Sequence, residues 1–135
     1  MAPLTITRRD VGPVVVLALA GRLKFDEDGD LLLREQVAAA VASGDHNILL
    51  DLQGVHQMDS GGVGTLVAVY LHVAKRGGKL KLMAPSERVR RVLHMTHLEE
   101  AFEIFETEAD ALRTFDGGSA LGARPGSDPA QPARS

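Results

Sequence analysis

Ile48-Leu49-Leu50-Asp51-Leu52, followed by Met58-Asp59-Ser60-Gly61-Gly62-Val63-Gly64-Thr65, is the stretch of sequence that decides the fold. Its first five residues form a short apolar run, the pattern of a buried strand. Beyond the glycines, Val63, Leu66, Val67, Tyr70, Leu71 and Ala74 recur at helical spacing, and Gly77-Gly78 ends the helix. A strand, a short glycine-rich loop and an amphipathic helix make one unit of an α/β sheet.

The same alternation extends in both directions. Upstream, Leu4 and Ile6 alternate with polar residues as in an edge strand, Gly12-Pro13 marks a turn, and Val14 to Ala20 reads as a central strand. Gly21 to Gly29 is a polar loop, and Asp30 is positioned to cap a helix reaching about Ser43, with Leu33, Val37 and Val41 on one stripe and Gly44 as its stop. Downstream, Leu80 to Ala84 is a third core strand, and Ser86 caps a helix carrying Val89, Val92 and Leu93. Phe102, Ile104 and Phe105 form a last strand, and Thr107 with Asp110 opens a helix through Leu112 and Phe115. The order ββαβαβαβα predicts a mixed, mostly parallel sheet of four to five strands with about four helices. Residues 1–116 hold this domain. Gly117 to Ser135, rich in Gly, Ala, Pro and Ser with Leu121 as its only large apolar side chain, reads as a disordered tail.

Composition removes several classes of function. The chain has 135 residues, a formal charge of −3 and no cysteine. Disulfides, thiolate zinc sites, iron–sulfur clusters and cysteine nucleophiles are therefore absent. The pI of about 5.9 is not that of a nucleic-acid binder, and an aromatic content of 4% with no Trp gives little platform for stacking bases. No stretch reaches the ~20 apolar residues of a membrane helix, and the N-terminus lacks a signal-peptide pattern. The expectation is a soluble, cytoplasmic protein with no cofactor and no metal, a monomer or weak dimer.

The chemistry-bearing candidate is the Asp59–Gly64 stretch. Strand-to-helix loops at the carboxyl ends of sheet strands are where α/β proteins meet ligands, and glycines there expose backbone amides at the positive end of a helix. As structure alone, Ser60 is a helix cap and the glycines permit tight packing. The hydrolase elbow G-x-S-x-G fails at Met58, and the phosphate loop fails because Thr65-Leu66 follows Gly64. The dinucleotide fingerprint G-x-G-x-x-G is also missing. Asp26-Glu27-Asp28-Gly29-Asp30 lacks the Gly and Glu of a calcium loop, which would fall at Leu31 and Val37, so it reads as a solvated acidic loop. His94 and His97 have metal-ligand spacing without partners and read as surface residues.

The stretch Asp59-Ser60-Gly61-Gly62-Val63-Gly64 resembles the signature of the STAS domain, the family of bacterial anti-sigma factor antagonists and sulfate-transporter tails. The resemblance spans about residues 4–115. It includes Gly21-Arg22-Leu23, Ile48 to Leu52, Gly77-Gly78-Lys79-Leu80-Lys81-Leu82 and Ala84-Pro85-Ser86. It implies that Ser60 is the residue phosphorylated by a partner that is both anti-sigma factor and serine kinase. The unmodified form would bind that kinase and release the sigma factor, phosphorylation would block binding, and a serine phosphatase would reset the switch. Asp59, Ser60, Gly61, Gly62, Val63 and Gly64, flanked by Asp26 and Asp28, would form the docking surface, with no catalytic residue. Many antagonists carry Ser or Thr where Gly61 stands, so a non-switching STAS scaffold or ligand-binding module is the alternative. A small α/β enzyme would need a base near Ser60, for which His56 is the nearest candidate.

Overall fold

A computed structural model of the chain describes residues 3–24 and 28–116. The sheet order is β1 (Thr5–Val11), β2 (Val14–Leu23), β3 (Asn47–Met58), β4 (Lys79–Met83) and β5 (Ile104–Phe105), each strand next to its sequence neighbour. β1 and β2 form an antiparallel hairpin, and every later pairing is parallel. Among the described residues the helices are α1 (Asp28–Ala42), α2 (Ser60–Lys75), α3 (Glu87–Met95) and α4 (Glu108–Asp116), with a 3-10 turn at Leu98–Glu100. The predicted mixed, mostly parallel α/β architecture is the observed one.

Side-chain alternation along the strands divides the core in two. Val15, Leu17, Leu19, Ile48, Leu50, Leu52, Leu80 and Leu82 face α1, α2 and α3, where they meet Leu33, Val37, Leu66, Val69, Val73, Val89 and Leu93. Their neighbours Val14, Val16, Leu49 and Met83 face the other way and are covered by Ala111 and Phe115 of α4. Being buried on both faces explains why β2 and β3 read as continuous apolar runs rather than alternating ones.

Helix ends follow the local chemistry. Gly44 (φ 95°) and Gly77 (φ 79°) adopt the left-handed conformation after α1 and α2. In each case two amides reach back to the last carbonyls, Asp45 N–H to Ala40 and Gly78 N–H to Val73 among them. Ser86 caps α3 by accepting from Val89 N–H at 3.3 Å, and its hydroxyl donates to the Val55 carbonyl at 3.0 Å. Thr107 accepts from Asp110 N–H at 3.1 Å at the start of α4.

Four expectations are corrected. β2 runs to Leu23 and β3 to Met58, well past Ala20 and Leu52, because two register irregularities let the pair continue through Gly21 and Gly54. This breaks the period of two that sequence reading relies on. α1 begins at Asp28, so Asp30 lies in its first turn instead of capping it. The buried face of α1 runs through Gly29, Leu33, Val37 and Ala40, with Val41 only partly covered. On α2 the expected Val63, Leu66, Val67 and Tyr70 pack in or against the core, but Val69 and Val73 complete the buried face, while Leu71 is 46% exposed and Ala74 is exposed. The tail expected over Gly117 to Ser135 lies outside the described residues.

Candidate functional site

Three chain segments come together beyond the carboxyl ends of the parallel strands. β2 and β3 end side by side, with Arg22 opposite Gln57 and Leu23 opposite Met58. The start of α1 and the start of α2 are therefore neighbours. The turn Ala84-Pro85-Ser86 leaves β4 at the same edge, with Ser86 held to Val55 of β3.

Asp59 follows β3 without an intervening loop and is the N-cap of α2. Its backbone is extended (φ −110°, ψ −175°), and its carboxylate accepts from Gly62 N–H at 2.9 Å. A charged acceptor at the positive end of a helix is favourable twice over, through the hydrogen bond and through the dipole. The capping role therefore belongs to Asp59, and the reading of Ser60 as the cap is corrected. Ser60 is the first residue of the helix and is exposed, and its hydroxyl makes no hydrogen bond among the described residues. It faces solvent beside the first-turn amides with no local structural task.

The two glycines at the end of the motif differ in kind. A Cβ on Gly62 would stand 2.1 Å from the Leu23 carbonyl oxygen and 2.9 Å from Met58 Cγ, so the helix backbone presses directly on the end of β2. Gly64 is exposed, and a Cβ there would meet nothing within 4 Å. Gly62 is required by packing within the chain, whereas nothing within the described chain requires Gly64. Val63 is buried and anchors the turn to the core. Gly61 is half-buried, and its carbonyl receives the Thr65 hydroxyl at 3.1 Å.

The acidic flank is partly resolved. Asp28 is exposed in the first turn of α1, and Asp26 lies outside the described residues. Asp30, absent from the predicted docking set, is bonded by the Thr65 hydroxyl and by Arg34 Nε at 3.0 Å. These two partners, the hydroxyl first, hold its carboxyl below the usual carboxylate range. Sequence reading missed this pair because 35 residues separate its members and no local spacing links the acidic run to the glycine-rich stretch. A groove of about 210 Å³ runs between Arg34, Val37 and Ala38 of α1 and Ala68, Val69 and His72 of α2, and Leu31 and Leu71 are exposed on the same two helices. No group of three or more His, Asp or Glu among the described residues is arranged to hold a metal ion. No helix among them is long and apolar enough to cross a membrane.

The sheet order and the glycine-rich start of α2 at its carboxyl edge define a small mixed α/β domain. The STAS domain family matches residues 5–111, and the chain belongs to that family. The anti-sigma-F factor antagonist RsfB of Mycobacterium tuberculosis is 29% identical over 115 residues, covering 85% of this chain and 92% of its own. A Thermotoga neapolitana protein, provisionally named an anti-sigma factor antagonist, is 38% identical over 74 residues, 55% of this chain and 66% of its own length. Among solved structures, the anti-sigma factor antagonist SpoIIAA in its unphosphorylated form superposes with a TM-score of 0.71 at 25% identity, covering 84% of this chain and 97% of its own. The phosphorylated form of the Bacillus protein shares the fold at a TM-score of 0.65, 23% identity and coverage of 83% and 100%.

Proposed function

We propose that this chain is an anti-sigma factor antagonist that acts in the cytoplasm by binding, not by catalysis, and is switched at Ser60. The observation that carries the reading is Ser60 itself: exposed, first in α2, and without a side-chain hydrogen bond among the described residues, next to an Asp59 carboxylate that already caps the helix. A kinase can reach this hydroxyl without dismantling the cap. The docking surface comprises Asp59 to Gly64 and the exposed side of α2, flanked by Asp28 and, beyond the described residues, Asp26. The open face of Gly64 lets a partner approach the helix backbone closely.

The switch follows from charge and shape. The partner, an anti-sigma factor that is also a serine kinase, transfers the γ-phosphoryl group of ATP to Ser60 Oγ, and ADP leaves. The phosphate adds about −1.5 to −2 charges and three acceptor oxygens. The amides at the start of α2 tolerate an anion, so the fold survives. The docking face, already acidic at Asp28 and Asp59, becomes more so, and a surface that fitted the kinase no longer does. A phosphatase restores the hydroxyl. SpoIIAA, known in both an unphosphorylated and a phosphorylated form, supports the choice of a reversible switch over a fixed scaffold.

The test is intact-mass analysis after incubation with ATP and each serine-kinase anti-sigma factor encoded in the same genome, with Ser60→Ala alongside. The expected result is one added phosphate on the wild type and none on the variant. No gain with any active kinase would instead favour a STAS scaffold without a switch.

A further inference from the structure

The first turn of α2 is Ser60-Gly61-Gly62-Val63-Gly64, a sequence whose glycines give the helix start much conformational freedom. Only Val63 anchors it with a side chain in the core. Gly62 adds close backbone packing on the end of β2, and two side-chain polar contacts supply further order. One is the Asp59 cap on Gly62 N–H. The other starts from Thr65, which is 1% exposed. Its hydroxyl donates to the carboxylate of Asp30 on α1 and also lies 3.1 Å from the Gly61 carbonyl oxygen. A hydroxyl has one proton, and the charged acceptor takes the larger share, leaving the carbonyl as the weaker acceptor of a three-centre contact. Asp30 is fixed in turn by Arg34 Nε at 3.0 Å.

Packing does not account for this arrangement. Valine fills nearly the volume of threonine, and a buried hydroxyl is unfavourable unless it finds a partner. Here the partner sits on the other helix, and the second contact falls on the carbonyl of Gly61, the residue after Ser60, in the peptide whose N–H belongs to Gly62. Arg34, Asp30, Thr65 and Gly61 thus form one chain of contacts from α1 to the serine turn.

We infer that Asp30 and Thr65 are positioning residues: their hydrogen bond fixes the Gly61 peptide, and through it the orientation of Ser60 relative to α1. The importance of that orientation for a partner rests on the docking reading above. The hold on the turn does not.

The experiment compares the full-length wild type with Thr65→Val, Thr65→Ser and Asp30→Asn. Two quantities are read: amide hydrogen exchange of Gly62 and Val63 by NMR, and kcat and KM for phosphorylation of Ser60 by the kinase that modifies the wild type. For Thr65→Val, exchange at these two amides is expected to quicken about tenfold and kcat/KM to fall about tenfold, the weight of one charge-assisted hydrogen bond. Thr65→Ser, which keeps the hydroxyl, should restore both. Asp30→Asn, on a half-buried side chain, keeps an oxygen acceptor but removes its charge, so it should shift both quantities in the same direction by less, and it reports should Thr65→Val fail to fold. Wild-type exchange and kinetics in both Thr65→Val and Asp30→Asn would overturn the inference. A wild type that no kinase phosphorylates would sink the switch reading alone, and the exchange measurement would still decide whether the pair holds the turn.

Discussion

Gly62 and Gly64 lie two residues apart in one helix, and the same substitution at each should act in opposite directions. At Gly62 a new Cβ would meet the Leu23 carbonyl oxygen at 2.1 Å, the Leu23 carbonyl carbon at 3.0 Å and Met58 Cγ at 2.9 Å. Met58 can adjust its rotamer, but the carbonyl belongs to a buried, paired strand end, so the start of α2 must withdraw by about 1 Å. Overpacking of this kind costs about 3 kcal/mol at the upper end of its range. Alanine returns about 1 kcal/mol through its better helix propensity. The net for Gly62→Ala is a loss of about 2 kcal/mol, or roughly 8 °C in Tm for a domain of this size. At Gly64 the space is open within 4 Å and only the propensity gain remains, so Gly64→Ala should stabilise by about 0.5–1 kcal/mol. Urea denaturation of both variants, with m-values checked for constancy, measures the two effects directly. A Gly62→Ala protein as stable as wild type would refute the close approach of α2 to β2. A destabilised Gly64→Ala would refute the open face. Because Gly64→Ala leaves the fold intact, any weakening of partner binding in it reports contact at that point of the helix.

Other outcomes follow from single contacts. Asp59→Ala removes the cap carboxylate from Gly62 N–H and should lower stability by about 1 kcal/mol in urea denaturation; unchanged stability would argue against Asp59 as the cap. Lys81 is 4% exposed, with its ammonium 2.8 Å from Thr114 Oγ1 and 4.7 Å from the centre of the Phe115 ring. Burial pushes its pKa down, with Glu103 opposing that shift. The unfolded chain therefore binds the proton more tightly, and the wild type should gain stability relative to Lys81→Met as pH rises from its lowered pKa toward about 10.4. A difference between the two that stays flat with pH would contradict this. Ala84 holds a left-handed backbone (φ 53°) while its N–H donates to the Phe105 carbonyl at 2.7 Å. Ala84→Gly should accordingly stabilise by about 1 kcal/mol, and a loss of stability would refute strain at that turn.

Most of the fold was legible because its signals are local. Val14 to Ala20, Ile48 to Leu52 and Leu80 to Met83 are short apolar runs, and Gly44, Gly77, Ser86 and Thr107 end or begin helices by contacts within five residues. Errors arose where one element's geometry depends on another. The bulged pairing of β2 with β3 carries both strands past the point where alternation stops, and only the pairing partner reveals it. The expected stripe of α2 holds at Val63 and Leu66 and departs at Leu71, which looks as apolar as Val69 and Val73; which of them is buried depends on where α1 and the sheet lie. The exchange of roles between Asp59 and Ser60 has the same origin. Both are good caps, and the length of β3 decides which one stands at the helix boundary. Within the motif, the sequence distinguishes neither the packed Gly62 from the open Gly64 nor the tie between Thr65 and Asp30, since each depends on a neighbour distant along the chain.

The central claim is that the chemical state of Ser60 controls partner binding while leaving the fold unchanged. The most direct measurement is titration calorimetry of the anti-sigma factor kinase against the unmodified chain and against the chain fully phosphorylated at Ser60, with circular dichroism of both forms. Specific binding by the unmodified form, at least a tenfold loss on phosphorylation from the added charge, and identical far-ultraviolet spectra are expected. Equal affinity of the two forms, or an unmodified chain that does not bind, would contradict that claim.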